Sequence, residues 1–321
     1  MGGTKVLGVA LVDDELIAEE RVATPAGAAD MAADDGTDAA AELADALARV
    51  VDALRSEVGA ASRAAPVGLG IPGMVDRLGV LRFAPNLKAV AGSDVRATAS
   101  ARMPGVQLVV ENDASCAALA EARTGAARGA SRALVVTLGT GIGGGVVAGG
   151  RVEIGARGFA GEIGHMVVDP AGPPCPCGRR GCWERFASGG GLGRLAREAA
   201  YAGHLGEVVA SAGGDPELVR GEHVTDAARR GEPGAIGVIE ELGWWVALGL
   251  ANLTAVLDPD VIVVGGGLAQ AGELLLAPTR RAFAEVVEGG VERPEVAIVA
   301  AEWGERAGAV GAAMAALAGG L

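Results

Sequence analysis

The sequence predicts an α/β protein made of two related halves. Its 321 residues suffice for one large or two medium domains, and 50% of them are hydrophobic, so the chain can bury a sizeable core. Segments typical of strands and of helices follow one another along most of the chain. A strand, a glycine-rich turn and a second strand occur at the amino terminus and again over residues 134–152, which indicates two halves of related construction.

The individual elements follow, in chain order, from hydrophobic periodicity and turn residues. Strands at 6–10 and 16–22 flank Asp13-Asp14, which predicts a hairpin. Apolar residues at helical spacing predict an amphipathic helix over 39–58. Further strands are predicted at 66–72, 106–110, 132–138, 146–152, 261–264 and 296–300, and further helices at 114–123, 235–257 and 308–317, while 155–182 is predicted to be irregular.

Charge and hydropathy narrow the classes of partner. The chain has 27 Lys and Arg against 40 Asp and Glu, a net charge of -13, which argues against nucleic acid because phosphate contacts need clustered basic residues. The most apolar stretch, 242–257, is shorter than a membrane span and contains Asn252 and Thr254, so we expect a buried helix and no membrane contact. No signal peptide follows Met1, so we expect a soluble, cytoplasmic protein.

Three of the four cysteines crowd into eight residues and indicate a metal site. Cys175, Cys177 and Cys182 follow His165, whereas a disulfide scaffold would have more cysteines in a shorter, secreted chain. Zn²⁺ prefers four nitrogen and sulfur ligands in a tetrahedron, which one imidazole and three thiolates supply. Because the protein would fill all four positions, we predict a structural zinc site. The alternative is three unligated thiols in a loop.

Two glycine-rich segments are candidates for phosphate binding. The stretch 138–146 directly follows a predicted strand, and Gly2-Gly3-Thr4-Lys5 has the same character. Neither matches the common phosphate loop, and neither precedes a helix as a dinucleotide fingerprint requires. Both lie between two strands, where glycine lets backbone N–H groups approach an anion closely. Gly265-Gly266-Gly267 follows a third strand. The alternative for each segment is an ordinary turn.

Carboxylates in two places are candidates for sugar chemistry. Asp113 follows Asn112 at a strand end, just before a predicted helix. It is either a helix N-cap or a general base that aligns an acceptor hydroxyl in phosphoryl transfer. Glu162 and Glu184 flank the proposed zinc loop. We interpret them as ligands of vicinal sugar hydroxyls, and the alternative is two solvated charges.

These segments together resemble the ROK family (repressors, unclassified reading frames and sugar kinases). The resemblance is carried by Cys175-x-Cys177-Gly178-x-x-Gly181-Cys182-x-Glu184, preceded by Gly161-Glu162-Ile163-Gly164-His165. It extends to the glycine-rich stretch 138–146, to Gly2-Gly3-Thr4-Lys5, and to Gly70-Ile71-Pro72-Gly73, Pro85-Asn86-Leu87, Glu111-Asn112-Asp113 and residues 261–267. Within the family, residues 158–189 are most similar to ATP-dependent glucose kinases.

The resemblance implies a reaction and a role for each candidate residue. The reaction is transfer of a phosphoryl group from ATP, accompanied by Mg²⁺, to the 6-hydroxyl of glucose, with Asp113 as catalytic base. The implied sugar-binding residues are Gly73, Asn86, Asn112, Glu162, His165 and Glu184, and the implied structural zinc ligands are His165, Cys175, Cys177 and Cys182. The implied nucleotide-binding residues are Gly2, Gly3, Thr4, Lys5, Thr140, Gly141, Gly265 and Gly266.

The implied fold is the actin-like, ribonuclease-H-like pair of α/β domains with substrates in the cleft between them. We expect a small domain of residues 1–111 plus 306–321 and a large domain of residues 112–305 that carries the zinc loop. The family also implies a homodimer or homotetramer, with a hexose and ATP as the small-molecule partners.

The chain departs from the family pattern at its start. The pattern is Asp-Ile-Gly-Gly-Thr-Lys preceded by an apolar strand, whereas Met1 stands here at the position of the Ile. We therefore expect the first strand of the small domain and its Asp to be missing, and we interpret Met1 as a misassigned start. We expect little kinase activity from the chain as written and full activity when about ten upstream residues are restored.

Other functions within and outside this class stay open at this point. The acceptor could be mannose, fructose or an N-acetylhexosamine, because one sequence does not fix the sugar epimer. A sugar-responsive repressor would need an added helix-turn-helix before the first glycine turn. A non-catalytic, zinc-bearing sugar sensor is compatible with the missing Asp. Polyphosphate is a less favoured donor than ATP.

Overall fold

The computed structural model describes residues 5–25, 27, 39–59, 62 and 64–321, and they alternate between strands and helices as predicted for an α/β protein. The strands are β1 Lys5–Val12, β2 Glu15–Ala23, β3 Val67–Ile71, β4 Met74–Val75, β5 Leu81–Phe83, β6 Leu108–Asn112, β7 Arg132–Leu138, β8 Ile142–Ala148, β9 Arg151–Val152, β10 Val261–Gly265 and β11 Ala297–Ala300. The α-helices are α1 Ala39–Val58, α2 Val95–Arg102, α3 Asp113–Thr124, α4 Glu184–Ala187, α5 Gly189–Tyr201, α6 Gly206–Ser211, α7 Gly221–Arg229, α8 Pro233–Leu257, α9 Glu273–Val286 and α10 Ala307–Ala318.

The chain divides into two compact units. The first contains residues 1–130, 145–161 and 305–321, and the second contains residues 131–144 and 162–304. The expected boundary after residue 111 differs from this division. Helix α3 groups with the first unit because it packs along α10, and the segment 145–161 groups with it as well.

In the first unit, β1 and β2 form the predicted hairpin. They pair antiparallel, from Lys5 opposite Ala23 to Val12 opposite Glu15. The turn residues Asp13 and Asp14 have φ angles of 50° and 64°. Two successive positive φ angles are typical of the tight hairpin turns whose twist matches that of the strands, and Asp tolerates them. The apolar face of α1 packs against both strands.

A second pair of strands in the first unit positions the predicted base. Strands β3 and β6 pair parallel, from Val67 opposite Leu108 to Ile71 opposite Asn112. Helix α10 packs against β3 and α3. The carboxyl end of β6 is therefore held between a paired strand and the start of α3, which is where Asn112 and Asp113 lie.

The second unit is built on parallel strands. Strand β10 lies between β7 and β11 and is parallel to both. Its residues Ile262, Val263 and Val264 are fully buried, as expected of a parallel strand covered on both faces. Strand β8 follows β7 in this sheet and continues into the first unit, where it pairs antiparallel with β9. The predicted return strand 146–152 therefore starts earlier, at Ile142, and is interrupted by the turn at Gly149-Gly150.

Helix α8 is the longest helix of the described residues, with 25 residues. It is long and apolar enough to cross a membrane by length and composition, but 56% of its most apolar window is buried inside the protein. Leu242, Val246 and Leu250 are fully buried within it. This burial agrees with the predicted core helix, and the helix also supports the loop described next.

Candidate active site and metal centre

The junction of β6 and α3 carries the predicted site residues Asn112 and Asp113. Asn112 is the N-cap of α3, since its Oδ1 accepts a hydrogen bond from the Ser115 N–H at 2.9 Å. Its Nδ2 donates to the Gly73 carbonyl at 3.0 Å. The interpretation of Asp113 as the N-cap is thus wrong. Asp113 is the first helical residue, and its carboxylate accepts a hydrogen bond from the Ala114 N–H at 2.9 Å.

The environment of Asp113 suits proton acceptance. Burial raises the pKa of the Asp113 carboxyl above its usual value, and the backbone hydrogen bond from Ala114 opposes this rise only in part. A carboxylate with a raised pKa is a stronger base than a solvated one. Within phosphoryl transfer, that property fits the removal of a proton from an acceptor hydroxyl.

Two further predicted sugar ligands lie in the same unit. Gly73 has a φ of 111°, and a Cβ there would lie 2.3 Å from the Phe83 carbonyl oxygen, so the position requires glycine. Asn86 is exposed in a turn that is anchored by buried Ala84 and Leu87. The side chain of Asn112 joins it directly to Gly73, and Asn86 lies outside this hydrogen bond.

The four predicted zinc ligands come together in the second unit. The ligand atoms of His165, Cys175, Cys177 and Cys182 all lie within 4.8 Å of one another. Cys177 Sγ and Cys182 Sγ are 3.6 Å apart, and Cys175 Sγ is 3.7 Å from His165 Nδ1. A tetrahedron with Zn–S bonds of about 2.3 Å and a Zn–N bond of about 2.0 Å has edges of roughly 3.5–3.8 Å. The donor set and its spacing therefore fit Zn²⁺.

The thiols of this cluster ionise unequally without a metal. Burial raises the pKa of Cys175 and Cys182 above the usual range of a thiol. Burial acts in the same direction on Cys177, but hydrogen bonds, led by the one from the Arg179 backbone, outweigh it and lower the pKa. A bound divalent cation favours the thiolate at all three positions.

Backbone and core contacts hold the metal loop in place. Trp183 follows Cys182 directly, is fully buried, and donates its indole N–H to the Trp245 carbonyl of α8 at 2.7 Å. The Arg179 guanidinium donates to the His165 carbonyl at 2.7 Å. The loop is thus tied to the longest core helix at one side and to the histidine segment at the other.

Glu162 and Glu184 lie on either side of the His165 ring. His165 Nδ1 is 3.6 Å from Glu184 Oε1, and His165 Nε2 is 3.8 Å from Glu162 Oε2. Cys175 Sγ donates to Glu184 Oε1 at 3.1 Å. Because Nδ1 faces the cysteines, Nε2 faces Glu162. Both carboxylates therefore lie beside the predicted zinc ligands.

The glycine-rich turn between β7 and β8 lies against the carboxylate of Glu184. A Cβ at Gly141 would lie 2.5 Å from Glu184 Oε2, so the absence of a side chain at residue 141 leaves room for Glu184. The Gly189 N–H donates to the Gly139 carbonyl at 2.8 Å, which fixes the turn to the start of α5. Ser188 and Gly189 were not predicted from the sequence as part of this region. The available sequence signal was a Ser, which is a favoured N-cap, followed by glycines and an apolar helix.

A third glycine segment joins the same region of the second unit. Gly265 ends β10 opposite Thr137 of β7, and a Cβ at Gly266 would lie 2.5 Å from the Leu138 carbonyl oxygen. The carboxyl ends of two adjacent parallel strands thus bring Gly265 and Gly266 beside the turn that holds Thr140 and Gly141. This is the usual place for ligands in sheets of parallel strands.

The amino-terminal nucleotide candidates are described only in part. Gly2, Gly3 and Thr4 lie outside the described residues. Lys5 begins β1, and its ammonium forms an ion pair with Glu305 of the same unit. Arg21 also pairs with Glu305. The role of Lys5 in phosphate binding stays a prediction.

Comparison with known proteins identifies the family. The model of the ROK family matches residues 1–318. The glucokinase of Streptomyces coelicolor is 37% identical over 318 residues, which are 98% of this chain and 94% of that protein. The glucokinase of Thermotoga maritima is 37% identical over 272 residues, 84% of each chain. A crystal structure of a ROK family glucokinase from Streptomyces griseus in complex with glucose and AMPPNP matches with a TM-score of 0.86 and 36% identity, covering 99% of this chain and 97% of that one.

The chain belongs to the ROK family. The length of the match and the structural agreement confirm the expected actin-like class of α/β fold.

Proposed function

We propose that this protein is an ATP-dependent glucokinase that phosphorylates the 6-hydroxyl of glucose. The observation that carries the proposal is the Asp113 carboxylate, which follows the capped end of β6 and has a raised pKa. The names of the relatives at 37% identity and the glucose and AMPPNP bound in the Streptomyces griseus structure support glucose and ATP as the substrates.

Asp113 acts as the general base in this proposal. Its carboxylate accepts the proton of the 6-hydroxyl as the oxygen attacks the γ-phosphorus of ATP, and ADP leaves with the electron pair of the broken P–O bond. Asn112 binds a sugar hydroxyl in this proposal, and its side chain also fixes the start of α3 and the Gly73 carbonyl. Gly73 and Asn86 complete the sugar-binding residues of the first unit.

Glu162, His165 and Glu184 also bind sugar hydroxyls in this proposal. Carboxylates accept hydrogen bonds from vicinal hydroxyls, and a ring N–H of His165 donates one. His165 has two functions, because Nδ1 faces the cysteines while Nε2 remains on the side of Glu162. The specificity for glucose is thus linked to the geometry of the metal loop.

Zn²⁺ would be held by His165, Cys175, Cys177 and Cys182. It would cross-link the loop and would take no part in bond making or breaking, because protein ligands would occupy all four of its positions. Thr140, Gly141, Gly265 and Gly266 would contact ATP, together with Gly2, Gly3, Thr4 and Lys5. Mg²⁺ bound with the triphosphate would neutralise its charge.

The cellular setting belongs to the same proposal. ATP and reduced thiols are both found in the cytoplasm, so we place the protein there. We infer that hexose and ATP are its partners, without nucleic acid or membrane, and that it forms a homodimer or homotetramer. Light scattering on the peak eluted from a size-exclusion column measures the number of subunits.

A sugar panel with a matched variant tests the function. Purified protein is assayed with ATP and glucose, mannose, fructose or N-acetylglucosamine, alongside Asp113→Asn. We expect the highest kcat/KM with glucose, and a loss of about 10²–10⁴-fold in kcat for the variant with glucose binding retained. A higher kcat/KM with another sugar would identify that sugar, and not glucose, as the substrate. Glucose binding without any turnover would identify a sugar sensor instead.

A further inference from the structure

The segment of chain that precedes Glu162 lies against the hairpin of β4 and β5. We call residues 155–161 the approach segment. Gly155 and Gly158 have φ angles of 74° and 92°, so the segment turns at two positions that favour glycine. A Cβ at Gly158 would lie 2.7 Å from the Val75 carbonyl oxygen of β4. The approach segment is therefore packed closely against the backbone of the hairpin.

Arg77, in the turn of this hairpin, donates two hydrogen bonds to the approach segment. Its Nε donates to the Ala156 carbonyl at 3.1 Å, and its Nη2 donates to the Gly155 carbonyl at 2.8 Å. A guanidinium holds its N–H groups in a rigid planar fork, so two bonds from one side chain fix both the place and the direction of the segment. The contact joins parts of the chain that are 78 and 79 residues apart in sequence.

The hairpin that carries Arg77 is itself well fixed. The Asp76 carboxylate accepts hydrogen bonds from the Leu78 and Val80 N–H groups at 2.9 and 3.0 Å, which shapes the turn. Directly before β4, the Gly73 carbonyl accepts the hydrogen bond from Asn112 Nδ2. One hairpin therefore contacts the end of β6 on one side and, through Arg77, the approach segment on the other.

The charge of Arg77 also acts at the end of β6. Burial raises the pKa of the Glu111 carboxyl, and the hydrogen bond from Leu321 and the positive charge of Arg77 oppose this rise. Glu111 directly precedes Asn112. The guanidinium is therefore close enough to β6 to interact with its last residues while it holds the two carbonyl groups of the approach segment.

We propose that Arg77 is a positioning residue for glucose binding, because its guanidinium fixes the approach segment and thereby the position of the Glu162 carboxylate. The segment ends at Gly161, directly before Glu162, whose Oε2 lies 3.8 Å from His165 Nε2. Arg77 acts through Glu162 and does not contact the sugar. The inference rests on the proposed function, in which Glu162 binds a sugar hydroxyl. The alternative is an exposed arginine that stabilises the hairpin alone.

Arg77→Met tests the proposal, because it keeps an unbranched side chain and removes both donors. We expect the Kd for glucose, measured by calorimetry, to rise about fivefold or more, while kcat at saturating glucose changes less than about twofold. Hydrogen exchange of the amides in residues 155–161 should become faster, which reports the loosened segment without any turnover.

Arg82→Met is the matched control in the same hairpin. Arg82 forms an ion pair with Asp76, and its side chain is exposed, so this variant also removes a guanidinium from the hairpin surface. It should leave the Kd for glucose and the exchange of the approach segment unchanged. An equal rise in Kd for both variants would show that the hairpin as a whole matters, and this would overturn the role of Arg77.

A double variant tests whether Arg77 acts through Glu162. If it does, Arg77→Met should weaken glucose binding by less than about twofold when Glu162→Gln is already present, because the two changes affect one interaction. Additive losses would overturn the proposal, as would an unchanged Kd in Arg77→Met alone. Wild-type protein that neither binds nor phosphorylates glucose would instead overturn the proposed function itself.

Discussion

The proposed base role of Asp113 can be tested through the pH dependence of activity. Burial raises the pKa of Asp113, and the reaction needs its unprotonated form, so activity is lost as pH falls through the raised value. We expect the acid limb of kcat/KM for glucose to lie above pH ~4, the usual range for Asp. Measurement of kcat/KM from pH 4.5 to 8 locates the limb.

Glu111 provides the control for this profile. Burial also raises the pKa of Glu111, against a hydrogen bond donated by the Leu321 N–H. Glu111→Gln should leave the acid limb in place, whereas the residual activity of Asp113→Asn should lack it. A limb that moves with Glu111→Gln and survives in Asp113→Asn would remove the base role from Asp113.

Gly141 offers a way to displace Glu184 without changing its charge. The Cβ of Gly141→Ala would lie 2.5 Å from Glu184 Oε2, the mobile end of a side chain, so the carboxylate should move aside. Loss of one charged hydrogen bond to sugar is worth about 1.5–3 kcal/mol, so KM for glucose should rise about tenfold or more. Steady-state kinetics with saturating ATP give this value.

Gly139→Ala is the matched control in the same turn. The nearest atom to a Cβ at Gly139 is 4.0 Å away, so the added methyl group has space. If both variants raise KM for glucose equally, the effect comes from the turn as a whole, and Glu184 is not the residue displaced.

Site residues could be predicted from the sequence only where their spacing along the chain is distinctive. The convergence of His165, Cys175, Cys177 and Cys182 was predictable, because closely spaced thiols with a histidine have few other uses. The cap at Asn112 was not, since Asn and Asp are both good N-caps and only the structure shows which one accepts the Ser115 N–H.

At the scale of elements, the loop that carries the predicted zinc ligands also lies beside the proposed sugar-binding residues Glu162 and Glu184. Cys177→Ser removes one of four ligands, so zinc content should fall well below the expected value of about one per chain. The loop that positions Glu162 and Glu184 should then loosen, which lowers Tm and raises KM for glucose more than it lowers kcat. Elemental analysis, calorimetry and kinetics on the same preparation measure all three quantities.

Cys116→Ala is the control for this variant. Cys116 is buried in α3 of the first unit and lies outside the cluster, so its removal should leave the zinc content unchanged. Wild-type protein that contains no zinc after purification without chelators would contradict the structural metal site.

The sequence predicted long or strongly patterned elements and missed weak ones. Helix α1 and strand β7 have the predicted bounds, because their apolar residues repeat with a clear period. Helix α2 has eight residues, several of them polar, and α9 contains Pro278, which argues locally against a helix. Strands β4 and β5 have two and three residues, too few for a pattern.

At the scale of the molecule, the first unit depends on the last helix of the chain. Helix α10 buries Val310, Met314 and Ala315 completely and packs against α3, β3 and β1. A protein that ends at residue 304 should therefore expose the apolar faces of these elements. We expect rapid proteolysis within residues 1–130, with residues 162–304 protected and zinc retained. Limited proteolysis with mass spectrometry distinguishes the two regions.

A protein of residues 1–318 is the control, since it keeps α10 and loses the hydrogen bond from Leu321 to Glu111. It should resist proteolysis almost as well as the full chain. Equal resistance of the protein that ends at residue 304 would show that the first unit folds without α10.

The interleaving of the two units also affects how the chain is made. Ribosomes add about 5–20 residues per second and release the amino-terminal part first. The second unit is complete once residue 304 has emerged, but the first unit still lacks residues 305–321. The segment synthesised first is therefore the last to complete its fold. Its apolar strands remain exposed, and accessible to chaperones, until translation has ended.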